Sequence, residues 1–476
     1  MSESLPHVLI LGGGYVGLYT AWGLQRHSPP LRITVVEPTP YMTYQPLLPE
    51  VAGGEVEPRN VTVPLRRALR GVRVFRGRLD SLDVDTKTAT LESIDGVSST
   101  ERYDHVVFAL GAITRTFPTP GLEENGVGFK TVEEAVYLRN RVLDSVALAA
   151  SLTDPKERAK ALTFLFIGGG YTGVEAIGEL SDLSKIAIGN YPELASAELH
   201  WVIVEALDRV AAEVGPELSK WTLAHLRRRD IDVRLNTTLK SCIDGHAVLS
   251  DGDEFDTGTI VWTAGMKPNP VLDNTNVPRG PKGHVAANAK LQVEREDGSI
   301  VEGAWAAGDN AQVPDLTSEK QPAYYPPNAQ NALRQAKVLA QNIIAAVDGG
   351  EIVEYRHKSL GALASYGVGK GAAVVFGLQL RGLPAWLLDR AYHGMAMPTL
   401  ARKVRIFTGW ILGAVVPRDV SPLTATESPR RNFVAGMRPL AKKEPAAPGT
   451  GGGSGSGDSG GGDARKKDAA GAQKAK

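Results

Sequence analysis

The chain has a single cysteine, Cys242, among its 476 residues. One thiol cannot close an internal disulfide or form a CxxC pair, so dithiol redox chemistry is excluded. Cys242 reads as a structural residue at a strand end. Neither charge is in excess, with 53 basic and 53 acidic residues, whereas a nucleic-acid binder shows a basic surplus. No run of about 18 apolar residues occurs, so no spanning helix is expected. Residues 1–6 are short and polar, without the basic and apolar regions of a secretory signal. The nine histidines show no metal-ligand spacing, so no metal site is expected. No Ser-His-Asp set or catalytic carboxylate pair stands out either.

What is present is one pattern, written twice. The apolar run HVLILGGG, from His7, reads as a buried parallel strand. It ends in Gly12, Gly14 and Gly17, and a helix (15–26) and a strand (32–37) follow. In such a G-x-G-x-x-G turn the first glycine allows the bend and the second admits a pyrophosphate. The third lets helix and strand pack closely. The helix start offers free N–H groups to phosphate, with Tyr15 as its first residue. Glu37 ends the second strand, where an acid accepts hydrogen bonds from ribose hydroxyls. LTFLFIGGG, from Leu162, repeats the pattern with Gly168, Gly170 and Gly173, a helix from Tyr171, and Glu205 at the next strand end. Each unit is followed by a strand closing in a glycine turn, YDHVVFALGA with Gly111 and DTGTIVWTAG with Gly265. GAWAAGDNAQ adds another strand ending at Gly308–Asp309, before a helix over 327–347.

The expected fold class is α/β, with two Rossmann-like dinucleotide-binding domains. FAD is assigned to the first glycine turn and NADH to the second. Glu205 repels the 2′-phosphate of NADP, and nearby Arg209 tempers that preference. The expected division is 1–125 and 283–350 for the two parts of the FAD domain, and 126–282 for the NAD(H) domain. Residues 351–432 form a C-terminal interface and membrane-anchoring region, and 433–476 a disordered Gly/Ser/Lys-rich tail, whose composition cannot bury enough apolar surface to fold.

Several stretches carry a resemblance that spans most of the chain: YMTYQPLLPEVAGGEVEPRN, the long run from Tyr103, FIGGGYTGVEAIGEL, GAWAAGDNAQ and YYPPNAQNALRQAKVLAQNI. In these the chain resembles the type II NADH dehydrogenases, single-subunit, non-pumping NADH:quinone oxidoreductases. The resemblance implies that Gly308 and Asp309 reach the FAD ribityl and phosphate, and that Glu175 helps place NADH over the flavin. It also implies that Gln330 lies on a helix under the flavin, at the quinone side. Two positions depart from the family pattern. Arg334 stands where a second glutamine is usual, and Gln45 where threonine usually precedes the proline.

Alternatives stay open for several of these. Glu175 also fits a first-turn acid favoured by the helix dipole. Gln330 and Arg334 are four apart on one helix face; they suit a quinone carbonyl or the flavin pyrimidine, and Arg334 equally suits a structural ion pair. Residues 383–418 mix Trp386, Leu387, Leu388, Leu400, Ile406, Phe407, Trp410, Ile411 and Leu412 with Arg390, Arg402, Lys403, Arg405 and Arg418. That mix suits a helix pair in a bilayer interface, with tryptophans at headgroup level, or a core-packing or dimer-forming pair. The expected enzyme is thus a peripheral protein on the cytoplasmic face of the cell membrane, passing electrons from NADH through FAD to a menaquinone or ubiquinone. A homodimer remains open. The competing readings are a soluble FAD-dependent reductase of ferredoxin, rubredoxin or another small acceptor, and an NADH-sensing flavoprotein.

Overall fold

The computed structural model describes residues 5–423, together with Arg430 and Val434. The tail reading for 433–476 therefore lies, but for Val434, outside the described residues.

Two parallel sheets organise residues 5–423. The first runs Gln292–Glu294, Ile300–Ala306, His105–Phe108, His7–Leu11, Arg32–Val36, Arg73–Phe75. Only its first pair is antiparallel. The second runs Gly126–Gly128, Thr259–Trp262, Thr163–Ile167, His200–Val204, Ile231–Arg234, all parallel. The central strands HVLIL and TFLFI are buried along their whole length, as expected when helices cover both faces of a sheet. Strand for strand, the second sheet repeats the first: glycine-turn strand in the middle, acid-ending strand beside it, second glycine-turn strand on the other side.

The repeat extends to the links. After Gly111, Ala112–Thr114 leaves the first sheet, and after Gly265, Met266–Pro268 leaves the second; these two segments pair with each other as an antiparallel ribbon. The helix Ala329–Asp348 then returns to the first unit and packs along Tyr15–Leu24, where Gly23 gives room for Ala340.

Residues 361–381 form a three-stranded antiparallel sheet (Gly361–Ser365, Gly371–Val375, Leu378–Arg381), which the sequence did not suggest. The expected helix pair follows as Leu383–Ala396 and Leu400–Gly413. No helix among the described residues is long and apolar enough to cross a membrane.

Candidate active site

The two glycine turns are built alike, atom for atom. Gly12 N–H donates to the Val36 carbonyl (2.9 Å) and Gly168 N–H to that of Val204 (2.8 Å). Gly12 and Gly168 have φ of +111° and +109°, a region L side chains avoid. A Cβ on Gly17 would overlap the Gly12 carbonyl oxygen, and one on Gly173 that of Gly168. A Cβ on Gly14 would meet no protein atom within 4 Å, and one on Gly170 only the Glu213 carboxylate, at 3.4 Å. The first and third glycines are therefore required by the fold, whereas the second leaves open space.

That open space fits a pyrophosphate. The helices Tyr15–Leu24 and Tyr171–Ile188 begin at Gly14 and Gly170 with no side-chain cap. Three other α-helices are capped by side chains: Thr131 and Glu134 form a reciprocal capping box, and Asp154 and Asn328 cap theirs. The first-turn N–H groups of the two glycine-turn helices are thus left for an anion. The hydroxyls of Tyr15 and Tyr171 are buried with no hydrogen-bond partner among the described residues.

Glu37 and Glu205 each lock their turn with both carboxylate oxygens. Glu37 Oε2 accepts from Gly13 N–H (2.7 Å) and Oε1 from Thr39 N–H (3.0 Å). Glu205 Oε2 accepts from Gly169 N–H (2.6 Å) and Oε1 from Leu207 N–H (2.8 Å). Glu37 Oε1 also accepts from the Thr39 hydroxyl (2.8 Å), while Glu37 Oε2 and both Glu205 oxygens keep lone-pair capacity for a ribose hydroxyl. Arg209, exposed, is held by Asp208 (Nε–Oδ1 2.8 Å).

The other expected residues gather at these turns. Gly308 lies against Val16, at the start of the first helix, and its N–H donates to Gln335 Oε1 (2.7 Å). Gly111 N–H donates to Asn310 Oδ1 (3.1 Å), while Asn310 Nδ2 donates to the Phe108 carbonyl. Burial raises the Asp309 carboxyl above its ordinary range, and Lys130 and His284 pull it back. Gly265 ends the strand whose turn crowds Gly168, and its carbonyl accepts from Arg115 N–H.

Glu175 stands one turn into its helix, beyond the first-turn positions, so it is not a capping acid. Its Oε1 accepts from Ser365 N–H (3.0 Å), on the three-stranded sheet. Burial, with Asp389 and Glu50 nearby, holds its carboxyl well above the usual range. Gln330 and Arg334 share a flank of the last long helix with His357, whose Nε2 lies 3.3 Å from Gln330 Oε1. Arg334 has no carboxylate in ion-pair range among the described residues; its Nη1 donates to the Gln330 carbonyl (3.2 Å). The face turned to Gly308 carries Gln335 instead.

Sequence reasoning missed Gln335, Asn310 and a buried polar cluster beneath the C-terminal helices. In that cluster Arg390 and Arg418 both pair with Glu55, and Arg418 also reaches Glu179 (3.3 Å). Burial holds Glu179 well above the carboxylate range, and its Oε1 has no hydrogen-bond partner among the described residues. Burial pushes Glu50 up to about 7 against the pull of Arg390. His393, which burial would lower, ends above its ordinary value because Asp389 faces it at 3.4 Å; its Nδ1 lies 3.1 Å from the Tyr44 hydroxyl. The expectation of outward tryptophans and arginines is corrected for Trp386, Trp410, Arg390 and Arg418, whereas Arg405 is exposed and Arg402 and Lys403 are half-buried. Trp386 and Trp410 hold Arg390 between them, at 4.3 and 5.0 Å, and Ile406 is buried. The exposed apolar side chains of this region include Leu383, Leu387, Leu400, Val404, Ile411 and Leu412.

Two α/β units, each with a glutamate-locked glycine turn, define a paired dinucleotide-binding oxidoreductase scaffold. The chain belongs to the pyridine nucleotide-disulphide oxidoreductase family, which it matches over residues 6–336. It is 27% identical over 422 residues to demethylphylloquinone reductase NdbB of Synechocystis sp., covering 86% of this chain and 97% of the relative. It is 26% identical over 427 residues to the type II NADH:quinone oxidoreductase NdhA of Mycobacterium tuberculosis, covering 85% and 86%. Among solved structures, NDH2 of Plasmodium falciparum in complex with NADH superposes with a TM-score of 0.80 at 18% identity, covering 88% of this chain and all of the other. That likeness is one of fold.

Proposed function

We propose that the protein is a type II, non-proton-pumping NADH:quinone oxidoreductase that uses FAD. The observation that carries this reading is the pair of uncapped helix starts, each beside an open glycine and a locked glutamate. The names of the relatives point to the same reaction. In balance, NADH, a proton and a quinone give NAD⁺ and quinol.

A bound flavin supplies the two-electron chemistry, taking hydride from nicotinamide and passing electrons on; the chain's task is to bind, orient and manage protons. The turn at Gly12–Gly17, with Glu37 on the ribose, holds FAD; Tyr15, Gly111, Gly308 and Asp309 complete its site. The turn at Gly168–Gly173, with Tyr171, Gly265 and Glu205, holds NADH. NADH is preferred over NADPH because Glu205 faces the ribose and Arg209 is engaged by Asp208. Glu175, anchored through Oε1 to the Ser365 N–H and with its carboxyl raised by burial, helps place NADH over the flavin. Gln330 and Arg334 serve the acceptor side, where the guanidinium, with no carboxylate in ion-pair range among the described residues, stabilises negative charge.

Along the chain, 1–125 with 283–350 form the FAD domain and 126–282 the NAD(H) domain; 351–432 is the attachment region. The exposed stripe within 383–418 lies on the cytoplasmic membrane surface, where quinone is met.

The test is direct. Purified protein should show a yellow flavin spectrum and oxidise NADH with menaquinone or ubiquinone analogues as well as ferricyanide. Ferricyanide turnover without quinone turnover would sink the quinone reading and spare hydride transfer; protein that neither carries nor takes up FAD would sink both. Attachment is tested by Leu400→Glu with Val404→Glu, which should move a flavin-loaded protein off membranes. Full-length wild-type protein in the soluble fraction would overturn it.

A further inference from the structure

Two adjoining grooves, of ≈ 490 and ≈ 350 Å³, lie beside the start of the last helix. Arg26, Arg67 and Arg70 line the first; Arg67, Arg70, Arg402 and Arg405 line the second. No acidic residue lines either. Some surface arginines find carboxylates, as Arg32 and Arg73 do with Glu101 and Arg78 with Glu92. None of these five has one in ion-pair range among the described residues. Burial, Arg405 and Arg67 together lower Arg402 from its ordinary value, so these guanidiniums face one another without a counter-ion. The helix Leu400–Gly413 also begins here without a side-chain cap.

The groove adjoins apolar surface. At about 100° per residue, Leu400, Val404 and Ile411 share one side of this helix, and all three are exposed. Arg405 lies about 120° round the helix from that stripe, on the same side as exposed Leu412, and Arg402 lies opposite the stripe, toward buried Ile406. Gathered fork-shaped donors beside exposed aliphatic side chains match a phosphate carried on acyl chains, because guanidinium pairs well with phosphate in the bidentate mode.

We propose that this groove seats the phosphate of an anionic phospholipid headgroup at the membrane surface. The inference rests on the attachment reading above and adds to it a specific site, whose walls come from both the first unit and the last helix.

The experiment is cosedimentation of full-length, flavin-loaded protein with vesicles of phosphatidylcholine alone or mixed with phosphatidylglycerol. Wild type should bind the mixed vesicles more tightly. Arg67→Gln/Arg70→Gln/Arg402→Gln should lose about tenfold or more of that preference, since each basic residue near an anionic leaflet contributes roughly fivefold, and keep its binding to neutral vesicles. Lys156→Gln/Arg228→Gln/Lys240→Gln, an equal charge change at exposed sites elsewhere, should not lose it. The single variant Arg405→Gln, with an unchanged flavin spectrum, should lose a smaller part. Equal binding of wild type to both vesicles, or equal loss in both triple variants, overturns the proposal and leaves attachment standing. Binding to neither vesicle overturns attachment and the groove together. If inorganic phosphate at millimolar concentration raises the melting temperature of wild type but not of the groove variant, and abolishes the vesicle preference, the ligand is a free phosphate and the lipid assignment falls.

Discussion

Glu50 offers a sharp test of the buried cluster. Its side chain is 1% exposed, and burial raises its carboxyl from 4.5 to about 7, against Arg390 and helped by Asp389 and Glu55. The folded protein therefore binds this proton more tightly than the unfolded chain does. The contribution is fully present below about 4.5 and is lost as pH rises through about 7. Between those values stability should fall by about 1.4 kcal/mol per pH unit, or roughly 3 kcal/mol in all. Glu50→Gln keeps the neutral shape and removes the titration. Urea unfolding followed by far-UV circular dichroism at pH 5 and pH 8 would measure both proteins. Glu175 and Glu179 titrate upward in each, so the difference in slope between wild type and variant isolates Glu50. Wild type should lose roughly 3 kcal/mol more than Glu50→Gln across that interval. Equal slopes would falsify the claim that Glu50 is folded around its proton.

Other substitutions probe the site more coarsely. Gly14→Ala should fold and yet bind FAD poorly, because its Cβ enters only the space left for the phosphates, while Gly17→Ala should fail to fold, because its Cβ overlaps the Gly12 carbonyl; native circular dichroism and full flavin loading in both would refute the assignment. Gly170→Ala should keep flavin and raise KM for NADH about tenfold, since close backbone approach to the pyrophosphate needs that glycine. Gln335→Leu leaves the Gly308 N–H without its acceptor and should cost about 1–3 kcal/mol in chemical denaturation; a loss indistinguishable from zero would show that solvent replaces the bond. Arg390→Ala should cost about 3–5 kcal/mol and shift the fluorescence of Trp386 and Trp410 to the red as they lose the guanidinium between them; unchanged emission would contradict that packing.

How legible these features were depends on how far apart the interacting residues lie. The glycine turns could be read because their demands are local: strand, bend, helix and terminal acid fall within one short stretch. Even the pairing of Ala112–Thr114 with Met266–Pro268 had a trace, since both follow the repeated glycine-turn strand. Gln335 and Asn310 had none, because their partners, the N–H groups of Gly308 and Gly111, are set by tertiary packing. The C-terminal region was half read. A helix with interleaved tryptophan and arginine has the same pattern whether the arginines face lipid or core. The deciding partner, Glu55, is more than three hundred residues from Arg390. The sheet over 361–381 escaped because GALAS and GAAVV carry little apolar bulk to mark a strand.

Glu55 gives one oxygen to Arg390 and the other to Arg418, and the intervening chain contains the end of the first helix of the pair and the whole of the second. Topologically this is a ring closed on a single carboxylate, a cross-link made without sulfur. Such a closure limits chain entropy as a covalent staple would, yet with one cysteine in the protein it has no disulfide to be reduced. Reductant leaves it shut. Its weak point is the charge on one glutamate, so removing that charge would break both pairs at once and leave Arg418 to Glu179 and Arg390 to its two tryptophans.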